Sequence, residues 1–331
     1  MKAKPRSDAG QLDSSQSQFE QPSCRFHLRL IEESSVPVDF PAQARSTADR
    51  LIEMAFAEDL RDAGDLTCAA LLDAAEQGTV EIVARQEGVL AGLPVAEMVF
   101  VSLDPHVRFG ANVEDGVSLD AGTVVATVSG SLPSLLTGER TALNFLTHLS
   151  GVATLTREFV TAAGNPQVAI LDTRKTLPGW RALQKYAVTA GGGANHRMGL
   201  YDGVLIKDNH LAAWMRRSES SSIAEAVLRS RDVSPEGVSI EVEVDTLEQL
   251  MDALAGEPDI VLLDNMNCAT LREAVGIRNE QAPGVLLEAS GGVTLDAIGE
   301  IAGTGVERIS VGALTHSAVA LDLAFDWYLN L

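Results

Sequence analysis

From Thr47 onward, apolar and polar positions follow two rhythms. TADRLIEMAFAEDL spaces its apolar residues three and four apart, the period of an amphipathic helix. TVEIVARQ, GVLAGL, HVRFGANV and GTVVATVSG are short runs separated by Gly, Pro and Asp, the pattern of a small sheet with turns. SLLTGERTALNFLTHLSGVATLTREFVTAA reads as a long helix with a break at Gly151. After Gly164 the grammar changes. QVAILDTRK, DGVLIKDN, VSIEVEVD, DIVLLDN, GVLLEASGG and RISVGAL read as strands. PGWRALQKYAVTA, the stretch from Ala212 to Arg231, TLEQLMDALAG, TLREAVGIRNE and TLDAIGEIAGTG read as the helices between them. Repeated βα units imply a parallel sheet covered by helices.

Where the polar residues fall separates the two ways of building such a sheet. Asp172, Arg174 and Lys175 close the first strand, and Lys207 and Asp208 the second. Glu241, Glu243 and Asp245 lie along the third, Asp264 and Asn265 close the fourth, and Glu288 and Ser290 the fifth. In an α/β barrel the C-terminal strand ends meet around one mouth, where chemistry sits. An open doubly wound sheet needs only two or three polar residues at its switch point. The pattern therefore favours a barrel.

Residues 1–42 differ from the rest. QLDSSQSQFEQPS offers little to bury, so this stretch is expected to be a disordered tail, without the apolar centre of a secretory signal. The expected division is the tail at 1–42, a first α/β domain over 43–150 together with 317–331, and a catalytic barrel over 151–316.

Charge narrows the partners. Among 331 residues, 25 Lys and Arg face 46 Asp and Glu, a formal net charge of −21. Such a surface disfavours nucleic acid and anionic lipid, and no apolar run is long enough for a membrane helix. Cys24, Cys68 and Cys268 are scattered, which fits reduced thiols and a cytoplasmic location. The P-loop, G-x-G-x-x-G, G-x-S-x-G and H-E-x-x-H motifs are absent.

Against this acidic background, Leu171–His210 holds six cations (Arg174, Lys175, Arg181, Lys185, Arg197, Lys207) and three acids, a local net charge of +3. A cationic island in an acidic protein is an anion site, with Arg forks suited to carboxylates and phosphates. Arg181 and Lys185, four apart on a helix, are read as its solvated face. Gly191–Gly193 would let backbone approach an anion closely, or simply form a flexible turn. Glu243 and Asp264 suit ribose hydroxyls or Mg²⁺, or a structural ion pair with Lys207 or Arg174. EASGG before TLDAIGEIAG is a strand, a glycine turn and a helix start, a phosphate-binding geometry, and VGALTH is a weaker one.

DTRKTLPGWRALQKYAVTAGGGANHRMGLYDGVLIKDNH resembles the signature of the quinolinate phosphoribosyltransferases, and GERTALNFLTHLSGVAT, IEVEVDTLEQL, VLLDNM, EASGGV and VGALTH follow the same family's blocks in order. The resemblance implies an α/β fold of type II phosphoribosyltransferase: an N-terminal α/β sandwich domain, an incomplete parallel α/β barrel, and a C-terminal helical segment packing back on the first domain. It implies transfer of phosphoribosyl from phosphoribosyl pyrophosphate to quinolinate with Mg²⁺, giving nicotinate mononucleotide, pyrophosphate and CO₂ in NAD biosynthesis. It also implies a homodimer with shared sites. Arg140, from the neighbouring subunit, Arg174, Lys175, His196 and Arg197 are then the quinolinate contacts. Lys207 lies between the substrates. Glu243 and Asp264 face ribose and Mg²⁺–pyrophosphate. Ser290, Gly291, Gly292, Gly312 and Ala313 form the 5′-phosphate loops. Trp180 replaces a frequent Leu. A related phosphoribosyltransferase with another acceptor, or a non-catalytic anion-binding barrel, are the alternatives.

Overall fold

The computed structural model describes residues 38–216 and 222–327; the expected tail lies outside these up to residue 37. The chain is already packed by Phe40, whose ring meets Tyr186 edge-on at 5.0 Å. The first part runs α1 (Ala42–Asp59), α2 (Leu66–Leu71), β1 (Gln77–Ala84), β2 (Gly88–Val89), α3 (Leu93–Leu103), β3 (Arg108–Ala111), β4 (Ser118–Leu119), β5 (Val124–Ser131) and α4 (Leu132–Ala163). β3, β5 and β1 form an antiparallel sheet, and β2 and β4 a two-stranded ribbon. α3 starts where Asp115 accepts the Gly92 and Leu93 backbone N–H groups at 2.7 and 3.1 Å. Those donors would otherwise be orphaned at a buried helix end.

α4 is one continuous helix, where a break at Gly151 was expected. Glycine weakens a helix interior by about 1 kcal/mol. Here it is needed for close approach: a Cβ on Gly151 would lie 2.1 Å from the Val319 carbonyl oxygen. The helix packs on α3, β1 and β5 along part of its length and on the second part of the molecule along the rest.

The second part alternates strand and helix: β6 (Ala169–Leu171), α5 (Arg181–Ala190), β7 (Val204–Ile206), α6 (Asp208–Met215), α7 (Ile223–Val233), β8 (Ile240–Val244), α8 (Leu247–Ala255), β9 (Ile260–Asp264), α9 (Cys268–Gln281), β10 (Leu286–Ser290), α10 (Leu295–Ala302), β11 (Arg308–Ser310) and α11 (Ala313–His316). Of the single helical stretch expected over Ala212–Arg231, α6 and α7 are the described parts. The strands are parallel in the order β6-β11-β10-β9-β8-β7, so β6 and β7 are the two edges of an unclosed barrel. The segment at Ala194 bridges to Leu171 in parallel and occupies part of that seam.

Register and the period of two sort the strand residues onto two faces. Ile240, Val242, Val244, Val261, Leu263, Leu287 and Ile309 join the apolar core beneath the helices. Glu241 and Glu243 lie in phase with Ile260 and Leu262, then with Glu288, Ser290 and Arg308, on the opposite, inner face. Large branched side chains usually fill this space. Here much of it is charged.

The chain then returns to the first part. Leu321 N–H donates to the Thr147 carbonyl at 2.9 Å, and β12 (Leu323–Trp327) pairs antiparallel with the free edge of β1. The expected C-terminal helical segment is therefore a strand over its described residues. Strand is the better use of LAFDW, because Leu323 and Phe325 both face the sheet's core while Asp326 reaches out to Arg85.

Candidate active site

The C-terminal strand ends build a mouth with two sides. On one side, Lys207 ends β7 and its Nζ donates to Glu243 Oε2 on β8. Of the readings left open for Glu243, the ion pair with Lys207 is present. Lys207 also starts α6, where its N–H donates to His210 Nδ1 at 3.0 Å. Asp264 ends β9 and accepts the Asn265 Nδ2 donor at 2.7 Å. Asn265 has φ +55, and its N–H donates to the Ser290 carbonyl at 2.9 Å. Gly291 sits so close to Asn265 that a Cβ would lie 2.2 Å from Oδ1. The turns after β9 and β10 are thus locked together. Gly291 (φ +99) and Gly292 (φ +57) shape the turn that leads into α10. Ser310 Oγ donates to Ser290 Oγ at 3.0 Å.

On the other side, the loop after β6 lies over the turn after β11. Thr315 Oγ1 donates to the Lys175 carbonyl at 2.8 Å, and the Lys175 stem fills the space beside Gly312, where a Cβ would meet its Cδ at 3.0 Å. Ala313 opens α11. Arg174 is exposed above them. Arg197 Nη1 donates to the Gly203 carbonyl at 2.9 Å. Burial, and after it the nearby Arg174 guanidinium, lower the Arg197 pKa.

Beneath the mouth lies a buried, paired layer. Lys185 is 1% exposed and bonded to Asp172, which is fully buried. This corrects its reading as part of a solvated face: α5 turns Lys185 inward because Asp172, at the end of β6, needs a counter-charge. Burial pushes the Asp172 carboxyl up to about 6, although Lys185 opposes it, and burial lowers Lys185. Arg181 is half-buried, donating to Thr176 Oγ1 and the Met198 carbonyl. The Lys185–Asp172 pair grips the main chain of His196: Nζ donates to its carbonyl at 2.8 Å, and its N–H donates to Asp172 at 3.0 Å.

The His196 ring points into the barrel. Its Nε2 lies 3.1 Å from Glu241 Oε2 and 3.4 Å from Glu288 Oε1. Arg308 Nε donates to the other Glu288 oxygen at 2.8 Å. Burial disfavours the imidazolium, but the bonds and charges of the two carboxylates outweigh burial and raise the pKa to about 9. The Arg197 N–H, 2.8 Å from Nδ1, suits a neutral ring instead. The two carboxylates favour a proton on Nε2, the Arg197 N–H favours a bare Nδ1, and burial, with Glu288 beside it, raises the Glu241 carboxyl in turn. Behind this cluster, the N-terminal strand ends open a cavity of about 1300 Å³, lined by Arg197, Val204, Ser239, Asp259, Gly284 and Arg308 and reaching His196 and Glu241, so the Arg197 side chain borders this end of the barrel. Of Gly191–Gly193, the outer two serve helix packing, since Cβ atoms on them would collide with α4 at Ala153 and Thr156, and Gly192 (φ +91) makes the turn.

Residues 65–150 match the N-terminal domain of quinolinate phosphoribosyl transferase, and residues 152–326 match its C-terminal domain. The chain belongs to the quinolinate phosphoribosyltransferase family. A carboxylating nicotinate-nucleotide pyrophosphorylase of Mycobacterium leprae is 47% identical over 278 residues, covering 83% of this chain and 95% of the relative. A probable one of Bacillus subtilis is 43% identical over 283 residues, covering 84% and 92%. Among solved structures, NadC from Streptococcus pyogenes aligns with TM-score 0.79 at 37% identity, covering 86% of this chain and 98% of that one. The nicotinate-nucleotide pyrophosphorylase from Francisella tularensis aligns with TM-score 0.80 at 36% identity, covering 89% and 100%. The family's fold, an α/β sandwich and an unclosed parallel barrel, is the fold described above.

Within this family member, the structure gathers Lys175, Gly312 and Ala313 on one side of the mouth, and Lys207, Glu243, Asp264, Ser290, Gly291 and Gly292 on the other. Arg140 stands apart, exposed on α4, and no described ion pair joins it to the mouth. Sequence reasoning missed the roles of Lys185, Glu241 and Glu288. The alternation in IEVEV put Glu241 on the same face as Glu243, one step deeper, and that signal was sufficient to find it. Trp180 stacks on Phe145 at 4.8 Å and meets His148 edge-on, a packing role beside α5.

Proposed function

We propose that the mouth transfers phosphoribosyl from phosphoribosyl pyrophosphate to quinolinate, releasing pyrophosphate and CO₂ and giving nicotinate mononucleotide for NAD biosynthesis. The observation that supports this reading is the mouth itself, where Lys207 and Glu243 face Asp264 and the Gly291–Gly292 turn, with the exposed Arg174 and Lys175 after β6 as cations for the acceptor. An Arg fork beside a Lys suits a dicarboxylate. Lys175 and Lys207 add point charges on either side. The turns after β10 and β11 take the 5′-phosphate.

The chemistry follows from that placement. The pyridine nitrogen donates its electron pair to C1′ as the C1′–oxygen bond breaks, and pyrophosphate leaves with the bonding pair. Positive charge develops on the ribose, and Glu243 is the carboxylate at hand to offset it. The pyridinium formed then loses its 2-carboxylate as CO₂. The electron pair left on C2 is stabilised by the adjacent N⁺ and takes up a proton. Among the described residues no nucleophile paired with its base faces this mouth, which supports direct displacement without a covalent enzyme intermediate.

Glu243 and Asp264 end neighbouring strands with carboxylate oxygens, a hard donor set that fits Mg²⁺. When bound, the ion offsets charge on the leaving pyrophosphate. The partner subunit's Arg140 completes the acceptor pocket in a homodimer. Its support is local: Leu136, one turn from Arg140, and Leu66 and Leu71 on the adjacent α2 are exposed apolar residues that a second copy would cover. The unpaired thiols of Cys68 and Cys268 support a reducing, cytoplasmic setting for the enzyme.

Purified protein with quinolinate, phosphoribosyl pyrophosphate and Mg²⁺ should release CO₂ and form nicotinate mononucleotide. Turnover of nicotinate without turnover of quinolinate would sink the reading.

A further inference from the structure

The mouth accounts for the exposed cations, but not for the charged cluster beneath it. Glu288 is fully buried and Glu241 nearly so, and Glu241 Oε1 accepts no hydrogen bond. Burying carboxylates in a barrel interior costs stability, and apolar side chains of similar volume often serve a fold better. Both carboxylates converge on one atom, His196 Nε2. Arg308 on β11 holds the far side of Glu288 and fixes its direction. Asp172 and Lys185 hold the main chain of the same histidine. The ring's other nitrogen faces the N–H of Arg197. Four strands and one helix therefore converge on a single residue, and the next residue in the chain carries a guanidinium of the acceptor pocket.

We propose that Glu241 and Glu288 are positioning residues for the acceptor: from inside the barrel they fix the His196 ring, and through it the 196–197 peptide, so that Arg197 is aimed before quinolinate arrives. This rests on the acceptor reading given above. Neither carboxylate touches substrate. Glu241 sits one step below Glu243 on β8 and Glu288 one step below Ser290 on β10, where they act only through the histidine. The gain is preorganisation: a guanidinium already fixed pays no ordering entropy on binding. A metal ion held by His196, Glu241 and Glu288 is the competing use of the same three side chains. Arg308 already supplies a cation to Glu288 there.

The test uses the full chain and separates the two substrates. Glu241→Ala and Glu288→Ala should each raise KM for quinolinate about tenfold, the fold-change expected when a charge-assisted hydrogen bond is lost. KM for phosphoribosyl pyrophosphate should change less than twofold. Glu241→Gln keeps the shape and a weaker acceptor, so quinolinate KM should rise about threefold, between native and Ala. If the Ala variants fail to fold, the Gln variant decides. Native KM for both substrates in Glu241→Gln overturns the proposal, as does a parallel rise in both KM values. A stoichiometric metal ion that survives dialysis against chelator in the native protein and is lost in Glu241→Gln also overturns it. Where the native chain turns over quinolinate and the variants match it, the positioning role falls and the function stands. Where the native chain does not use quinolinate, both fall.

Discussion

The barrel carries two charged layers, one at the mouth and one enclosed, and they obey opposite rules. The upper layer at the mouth is half-open: Arg174 is exposed, Arg197 leans on a carbonyl, and Lys207 reaches Glu243 at the solvent boundary. The lower layer is buried and paired mainly within the protein: Lys185 with Asp172, His196 with Glu241 and Glu288, Glu288 with Arg308. Water and ligand can satisfy the first. Only the fold can satisfy the second. Charge left wanting a partner marks where substrate goes, and charge already paired marks what holds the site in shape.

The sharpest way to break this contrast is to remove one member of the lower layer. Lys185→Ala leaves Asp172 buried without its cation and should cost about 3–5 kcal/mol of stability, read as a lowered thermal or urea midpoint. Lys185→Met with Asp172→Leu should recover much of that loss. A single variant as stable as the native protein would show that the layer is not enclosed.

The upper layer should respond in rate with little change in folding. Arg140→Ala and Lys207→Ala should each lose about 10²–10³-fold in kcat with native unfolding curves. Mixed together, they should regain activity in about one quarter of the sites, because each mixed dimer rebuilds one intact pocket. No recovery in verified mixed dimers would count against a shared site.

A smaller effect separates the layers by pH. The folded-state pKa of His196 is raised to about 9 from an ordinary 6.5. Its contribution is therefore complete below pH 6.5 and is lost as pH rises through about 9. The stability gap between native protein and His196→Gln should narrow over that window. A gap that stays constant from pH 6 to 10 would mean that the ring is neutral throughout. The smallest change expected is at Arg85–Asp326, an exposed pair joining β1 to β12. Arg85→Ala should shift stability by less than about 1 kcal/mol.

The same division explains what the sequence could show. The βα repeat after Gly164 was legible because its period is strong and its strand ends polar. The mouth was legible because exposed functional charges break that pattern at fixed places. Lys185 was not: a helix face predicted from spacing does not say that a buried aspartate two elements away will claim one of its cations. Gly151 and Gly191–Gly193 misled for a related reason. A glycine reads as flexibility, but Gly151, Gly191 and Gly193 mark where another backbone or helix comes within van der Waals reach, and Gly192 holds a turn at φ +91. The strand at 323–327 depended on an edge left open by β1, a feature 241 residues away along the chain at the Arg85–Asp326 pair.

That last pairing changes what counts as a module in this molecule. Because β12 borders β1 only after the whole barrel has intervened, the barrel is an insertion within the first sheet and not an appendage to it. Cutting the chain between α4 and β6 would free a sheet with a naked apolar edge, the template for unwanted strand addition. The barrel could be exchanged for another only by an event that respects both of its ends. The two halves of this enzyme are thus inherited, and folded, as one piece.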